Sequence, residues 1–260
     1  MPVDGYFDDD SAIRRVGRES VLMLGGPRAL LMQAAHPLVA AGIVDHSRYR
    51  EDPWRRLART MAALYTIVFG TRAEADRMGA ITRAAHERVH GVREGRRYSA
   101  ADPDLMLWVH STLVDTGLTL YGLCVRPLEA AAAEEFYAQM QVVAHVFGVP
   151  DEVHPRTLAD FRRYQREAVE SGTVRVGEDA RAVAATVLSP PVPLALRLPL
   201  ATLARQTAGL LPPVLRDQYG LRAPLPGAAF STRRLLPLVP SPLRRTERLP
   251  LRLLAAVAGL

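Results

Sequence analysis

Two Asp-Pro pairs, Asp52-Pro53 and Asp102-Pro103, each open a long stretch in which apolar residues recur every three or four positions. An acidic residue ahead of a proline at the first helical position is a strong helix start. The carboxylate accepts from free backbone N–H groups, and proline leaves none of its own unpaired. The first stretch runs from Trp54 to Phe69 and the second to Cys124. The same spacing returns elsewhere between glycine and proline breaks, and little alternates with the period of two that a half-buried strand requires. The chain is therefore expected to be all-α. One helix is predicted from Ser11 to Leu24, broken at Gly25-Gly26-Pro27, and another through Leu30, Leu31 and Ala34 to His36-Pro37. Others are predicted from Arg72 to His90, ended by Gly91, from Arg126-Pro127 to Gly148, from Thr157 to Glu170 and from Glu178 to Leu188. After Ser189 the chain is crowded by Pro190, Pro191, Pro193, Pro199, Pro212 and Pro213. Helices there should be short or offset and close one side of a single helical bundle. The expected organisation is one domain over 15–260 behind an N-terminal tail, 1–14, with no internal repeat.

Composition narrows the chemistry. With 260 residues, 48% of them hydrophobic, the chain can bury a sizeable core unaided. The single cysteine, Cys124, excludes an internal disulfide and any multi-thiolate cluster, which suits a reducing compartment. The first ten residues are acidic and lack an apolar run, and no uninterrupted apolar segment has the length of a membrane span, so a cytoplasmic location is expected. All 33 basic residues are arginine. Lysine Schiff bases, lysine general bases and a P-loop are excluded. The arginine surplus near Arg233, Arg234, Arg244, Arg245 and Arg248 has no interleaved aromatic residues to stack bases, and reads as solvated surface rather than a nucleic-acid site.

Five of the seven histidines lie between His36 and His110, most on or beside apolar helical segments. An imidazole projecting from an apolar helix suits a metal or haem in a dry pocket; the plainer alternative is a core histidine with a satisfied hydrogen bond. Residues His86-Glu87-Arg88-Val89-His90 spell H-E-x-x-H, which on a helix puts two zinc ligands on one face with a glutamate to act on bound water. Against a zinc hydrolase, the motif ends directly before Gly91, where a helix frays, and no convincing third ligand follows. His86 also stands alone on a mainly apolar seam with Met78, Thr82 and Val89, where one histidine is enough for haem. Arg56 and Thr60 fall at i and i+4, with Arg59 on an overlapping face, bringing guanidinium and hydroxyl together. His110 shares a stripe with Met106, Val114 and Gly117.

Taken in order, His36-Pro37, Gly42 to Ser47, Asp52-Pro53, Arg56-Leu57 with Thr60, Phe69-Gly70, His86-x-x-Val89-x-Gly91, Tyr98 with Asp102-Pro103, and Trp108-Val109-His110 to Asp115 resemble the MpaB-type oxygenases. That family includes the catalytic domain of the latex-clearing, rubber-cleaving proteins. The resemblance covers about residues 15–165. It implies an all-helical, haem b-dependent oxygenase that acts with dioxygen on an apolar, unsaturated, isoprenoid-like substrate. His86 would be the proximal iron ligand, and Arg56 and Thr60 would line the haem site as catalytic and cofactor-binding groups. Arg59 stands where the rubber-cleaving members carry a lysine able to ligate the distal face, which arginine cannot readily replace; the distal side is then expected to be open or water-bound. No residue matches that branch's catalytic glutamate; His36, Asp45 and His46 occupy the nearby region. His110 and Asp115 would support the site from the neighbouring helix. A helical haem carrier without activity is the remaining alternative.

Overall fold

The computed structural model describes the backbone of residues 4–47, 53–189 and 194–222; side chains at 53–57, 194–196 and 199–200 lie outside that description. Among the described residues, eleven α-helices carry the architecture. They are α1 (Ala12–Gly17), α2 (Gly26–Ala34), α3 (Pro37–His46), α4 (Pro53–Phe69), α5 (Arg72–Glu87), α6 (Pro103–Cys124), α7 (Ala130–Phe147), α8 (Leu158–Glu170), α9 (Glu178–Leu188), α10 (Leu194–Leu210) and α11 (Pro213–Gln218). Short 3-10 turns cover Ser20–Gly25 and Asp151–Val153, and a hairpin of β1 (His90–Arg93) and β2 (Arg96–Ser99) is the one sheet among these residues. The all-α expectation is thus met.

The axis of the molecule is α6. Asp102 caps it, its carboxylate accepting from the N–H groups of Asp104 and Leu105. Its buried side chains, among them Leu105, Leu107, Trp108, His110, Ser111 and Val114, point to nearly every side, so it runs through the interior instead of lying on it. One apolar cluster packs α1, α4, α7 and α8 against it through Ile13, Val16, Ile67, Val114, Phe136, Val143 and Phe161. A second joins α2, α3, α9 and α11 through Leu31, Ile43, Trp108, Val183 and Leu215. One polar group inside this core ties three helices together. Arg28 of α2, 3% exposed, reaches the carboxylate of Asp115 at 2.6 Å, Thr116 Oγ1 at 2.7 Å and the Leu210 carbonyl at 2.8 Å, linking α2, α6 and α10.

Four expected boundaries differ. The first helix stops at Gly17, and the chain then enters an extended residue, Glu19, and a 3-10 turn, so the break precedes Gly25-Gly26-Pro27. Phe7 and Ile13 are buried in the core, anchoring the N-terminal region to it. Residues Pro37–His46 form a separate helix, apolar on almost all faces until Asp45, with proline at its first turn. After the prolines at Ser189, α10 is 17 residues long, not short. Pro199 removes one backbone bond near its N-terminal end, and the proline-free run that follows carries the helix to Leu210. Finally, α5 ends at Glu87 rather than His90, and the hairpin follows. Its two-residue loop, Glu94-Gly95, has φ of 50° and 72°, the left-handed pair that matches the twist of a tight hairpin.

Candidate functional site

Helices α2 to α6 converge on a cavity of about 360 Å³, completed by the hairpin and by Phe147 and Val149 at the end of α7. Most of its wall is apolar: Leu38, Val39, Ile43, Leu64, Met78, Ile81, Val89, Leu105, Val109 and Leu113. Its polar positions are few and include Arg59, Thr60, His86, His110 and His46.

The placement of α5 decides where His86 sits. Thr71 Oγ1 accepts from the Glu74 N–H while the Glu74 carboxylate accepts from the Thr71 N–H at 2.9 Å, a reciprocal cap that fixes the start of the helix. At Gly79 the helix meets α7 so closely that an added Cβ would lie 2.5 Å from the Val146 carbonyl oxygen. Arg83 donates to that same carbonyl. Held this way, α5 turns Met78, Thr82, Ala85 and His86 toward the cavity, the seam expected from spacing, with His86 half-buried in its last turn.

His90 is elsewhere. It begins β1, pairs with Ser99 and is exposed, while its carbonyl accepts from His46 Nε2 at 3.1 Å. The two histidines of the H-E-x-x-H string therefore share no helix face, because the helix ends between them. Among the described residues, no group of three or more His, Cys, Asp or Glu gathers as a metal cluster.

His110 is a deeply buried titratable group on the cavity wall. It is 6% exposed, neither ring nitrogen has a hydrogen-bond partner, and its ring meets that of His154 edge-on at 6.2 Å between centroids. Burial, then the neighbouring His154, lower its pKa to about 3, with the Met140 backbone opposing weakly. It is a neutral imidazole at physiological pH. Arg59 and Thr60 border the cavity from α4; Arg56 belongs to the same helix, but its side chain is outside the described residues.

The remaining expected site residues are not on this wall. Asp45 accepts from the Tyr98 hydroxyl at 2.6 Å and from Arg93 at 2.8 Å, and so fastens α3 to the hairpin. Burial, then that bond to Asp45, push the Tyr98 hydroxyl up to about 12. His36 precedes α3, with burial and then Arg96 lowering its pKa to about 4. Asp115 is the partner of Arg28 on another side of α6. Two contributors had no signal in the sequence. Gln33, whose Nε2 donates to Thr112 at 3.1 Å, reaches the cavity from α2, and His154 reaches His110 from a loop without periodicity.

Such an arrangement defines a class: helical proteins enclosing an apolar small-molecule cavity with histidines in its wall. Within that class the chain belongs to the family described as ER-bound oxygenase mpaB/B'/Rubber oxygenase, catalytic domain, whose model matches residues 13–241. No curated protein and no solved structure matches the chain. No helix among the described residues is long and apolar enough to cross a membrane.

The wall residues suit the group that the family resemblance implies. A haem needs one imidazole, apolar faces above and below the ring, and cations or hydroxyls at its edge. His86, the aliphatic wall, and Arg59 with Thr60 are of those types.

Proposed function

We propose that the chain is a haem b-dependent oxygenase that acts with dioxygen on an apolar, unsaturated substrate of the isoprenoid kind. The observation that carries this reading is the meeting of His86, Arg59, Thr60 and His110 around one apolar cavity in a member of an oxygenase family. The cofactor, when bound, would supply the oxygen-activating redox chemistry, which no side chain here can supply.

The residues have separable tasks. His86 would hold the iron through a ring nitrogen. Its position one residue from the end of α5 leaves the ring free of a following helical turn, while Ala85 and Val89 flank it with apolar surface. Arg59, with Arg56 from the same helix, would neutralise the propionates, and Thr60 would hydrogen-bond at the cofactor's edge or at the reacting face. Arginine stays protonated and binds metal poorly, so Arg59 would act as a charge partner rather than as a ligand. His110, neutral well below physiological pH, can donate or accept a hydrogen bond without bringing charge into a dry cavity. The aliphatic wall favours a hydrocarbon substrate.

An absorption spectrum with iron and zinc analysis of protein expressed under haem supplementation tests the reading. A Soret band with near-stoichiometric iron, lost in His86→Ala, is expected. Colourless, zinc-containing protein would overturn it. Haem bound without any dioxygen-dependent alkene cleavage would reduce the proposal to a haem carrier.

A further inference from the structure

Beside the histidine cavity lies a second one, of about 180 Å³, lined by α1, α2, α4, α6, α7, α9 and α10. The two share four wall residues: Gln33, Thr60, Leu64 and Leu113. Leu203, Ala204 and Thr207 of α10 line only the second cavity, and the residues of α5 line only the histidine cavity. A molecule long enough to fill both must therefore run from α10, past the shared four, toward His86.

The second cavity's wall is almost wholly aliphatic or aromatic, including Val16, Leu22, Met61, Phe69, Phe136, Met140 and Val187. Three of its polar groups are engaged inside the protein. The Tyr65 hydroxyl donates to the Gly17 carbonyl at 2.9 Å, Thr116 Oγ1 accepts from Arg28, and Gln33 donates to Thr112. Thr207 differs. It is 1% exposed and its hydroxyl has no hydrogen-bond partner, although a helical threonine ordinarily bonds the carbonyl four residues back. An unpaired buried hydroxyl is costly and calls for a partner. A lone hydroxyl is too few polar contacts to retain a water, which needs two to four. Among the described residues no cation lines this cavity to balance a carboxylate.

We infer that the second cavity binds a linear apolar molecule with a single neutral oxygen, a hydroxyl or carbonyl, held at Thr207 with its chain directed toward the histidine cavity. This deepens the oxygenase reading and rests on it for one consequence only. A substrate anchored by its oxygenated end presents a fixed distance along its chain at the reacting face, so the position attacked is counted from that end.

Binding itself is tested without turnover, on the full chain, by headspace partition of 1-octanol and n-octane. Octanol is expected to lose about 3- to 10-fold in affinity in Thr207→Val, the net worth of one neutral hydrogen bond, with octane unchanged and Thr207→Ser close to the original. Ala204→Phe, which fills the cavity, should abolish binding of both. Equal octanol affinity in Thr207→Val and the original chain would overturn the inference, as would undiminished octanol binding in a folded Ala204→Phe. Protein that takes up no haem yet shows the Thr207 effect upholds this site while removing the oxygenase reading; haem uptake without the effect does the reverse.

Discussion

Single residues set two testable properties. The folded-state pKa of His110 is lowered to about 3 from an ordinary value of 6.5 by burial. The unfolded chain therefore takes up a proton there below about pH 6.5 while the folded chain does not. Stability is fully present above that pH and drains at about 1.4 kcal/mol per pH unit as pH falls toward 3. His36, lowered to about 4 by burial and then by Arg96, adds in the same direction. Urea unfolding of the cofactor-free protein should become less stable from pH 6.5 to 4.5, and His110→Phe should flatten that slope; an unaltered slope would mean His110 is not buried neutral. The two histidines of the H-E-x-x-H string should also separate. His90→Ala, altering an exposed strand residue whose backbone carbonyl makes the bond to His46, is expected to retain haem that His86→Ala loses, read from the Soret absorbance. Equal loss in both would restore the shared-ligand idea. The placement of His86 on the cavity wall was legible from its apolar seam, since i, i+4 spacing is a local property. The separation of His90 was not: only the return of the chain as a hairpin against α3 takes it off the helix.

Elements hold the site through a small number of cross-links. Arg28 and Asp115 bridge α2 and α6 at 2.6 Å, with the guanidinium 4% exposed and the carboxylate 27%. Asp115→Ala would leave a buried cation without its counter-charge and is expected to cost about 3 kcal/mol in denaturant unfolding. Arg28→Met added to it should recover most of that loss, because the uncompensated charge then disappears; a double variant no more stable than the single one would show that the pair matters through packing. At this scale the sequence read well wherever an element begins or ends on local chemistry. Asp102-Pro103 starts α6, Thr157 caps α8 by accepting from the Asp160 N–H, and Gly148 ends α7 at φ 98°. It read poorly for α3 and the hairpin. An element apolar on almost all faces carries no amphipathic period, and the hairpin strands turn only Tyr98 fully inward, leaving no alternation to detect.

At the scale of the whole molecule, the helices form a shell around two adjoining cavities that share Gln33, Thr60, Leu64 and Leu113. Ligand that binds only the folded chain stabilises it by mass action. Haem at 100 times its dissociation constant should therefore add about 2.7 kcal/mol and raise the thermal midpoint, an increase expected to vanish in His86→Ala. A midpoint indifferent to haem would separate the family fold from its cofactor. Sequence by itself determined that the chain is helical, where most helices start and stop, and that it resembles an oxygenase family, because caps, breaks and ordered motifs are written in neighbouring residues. Tertiary structure alone decided that His110 faces His154, that Asp115 serves Arg28 instead of the histidine cavity, and that Thr207 is left without a partner beside a second cavity. Those relations join residues 44 and 87 positions apart or arise from several helices at once, and they exist only when burial has brought the helices together.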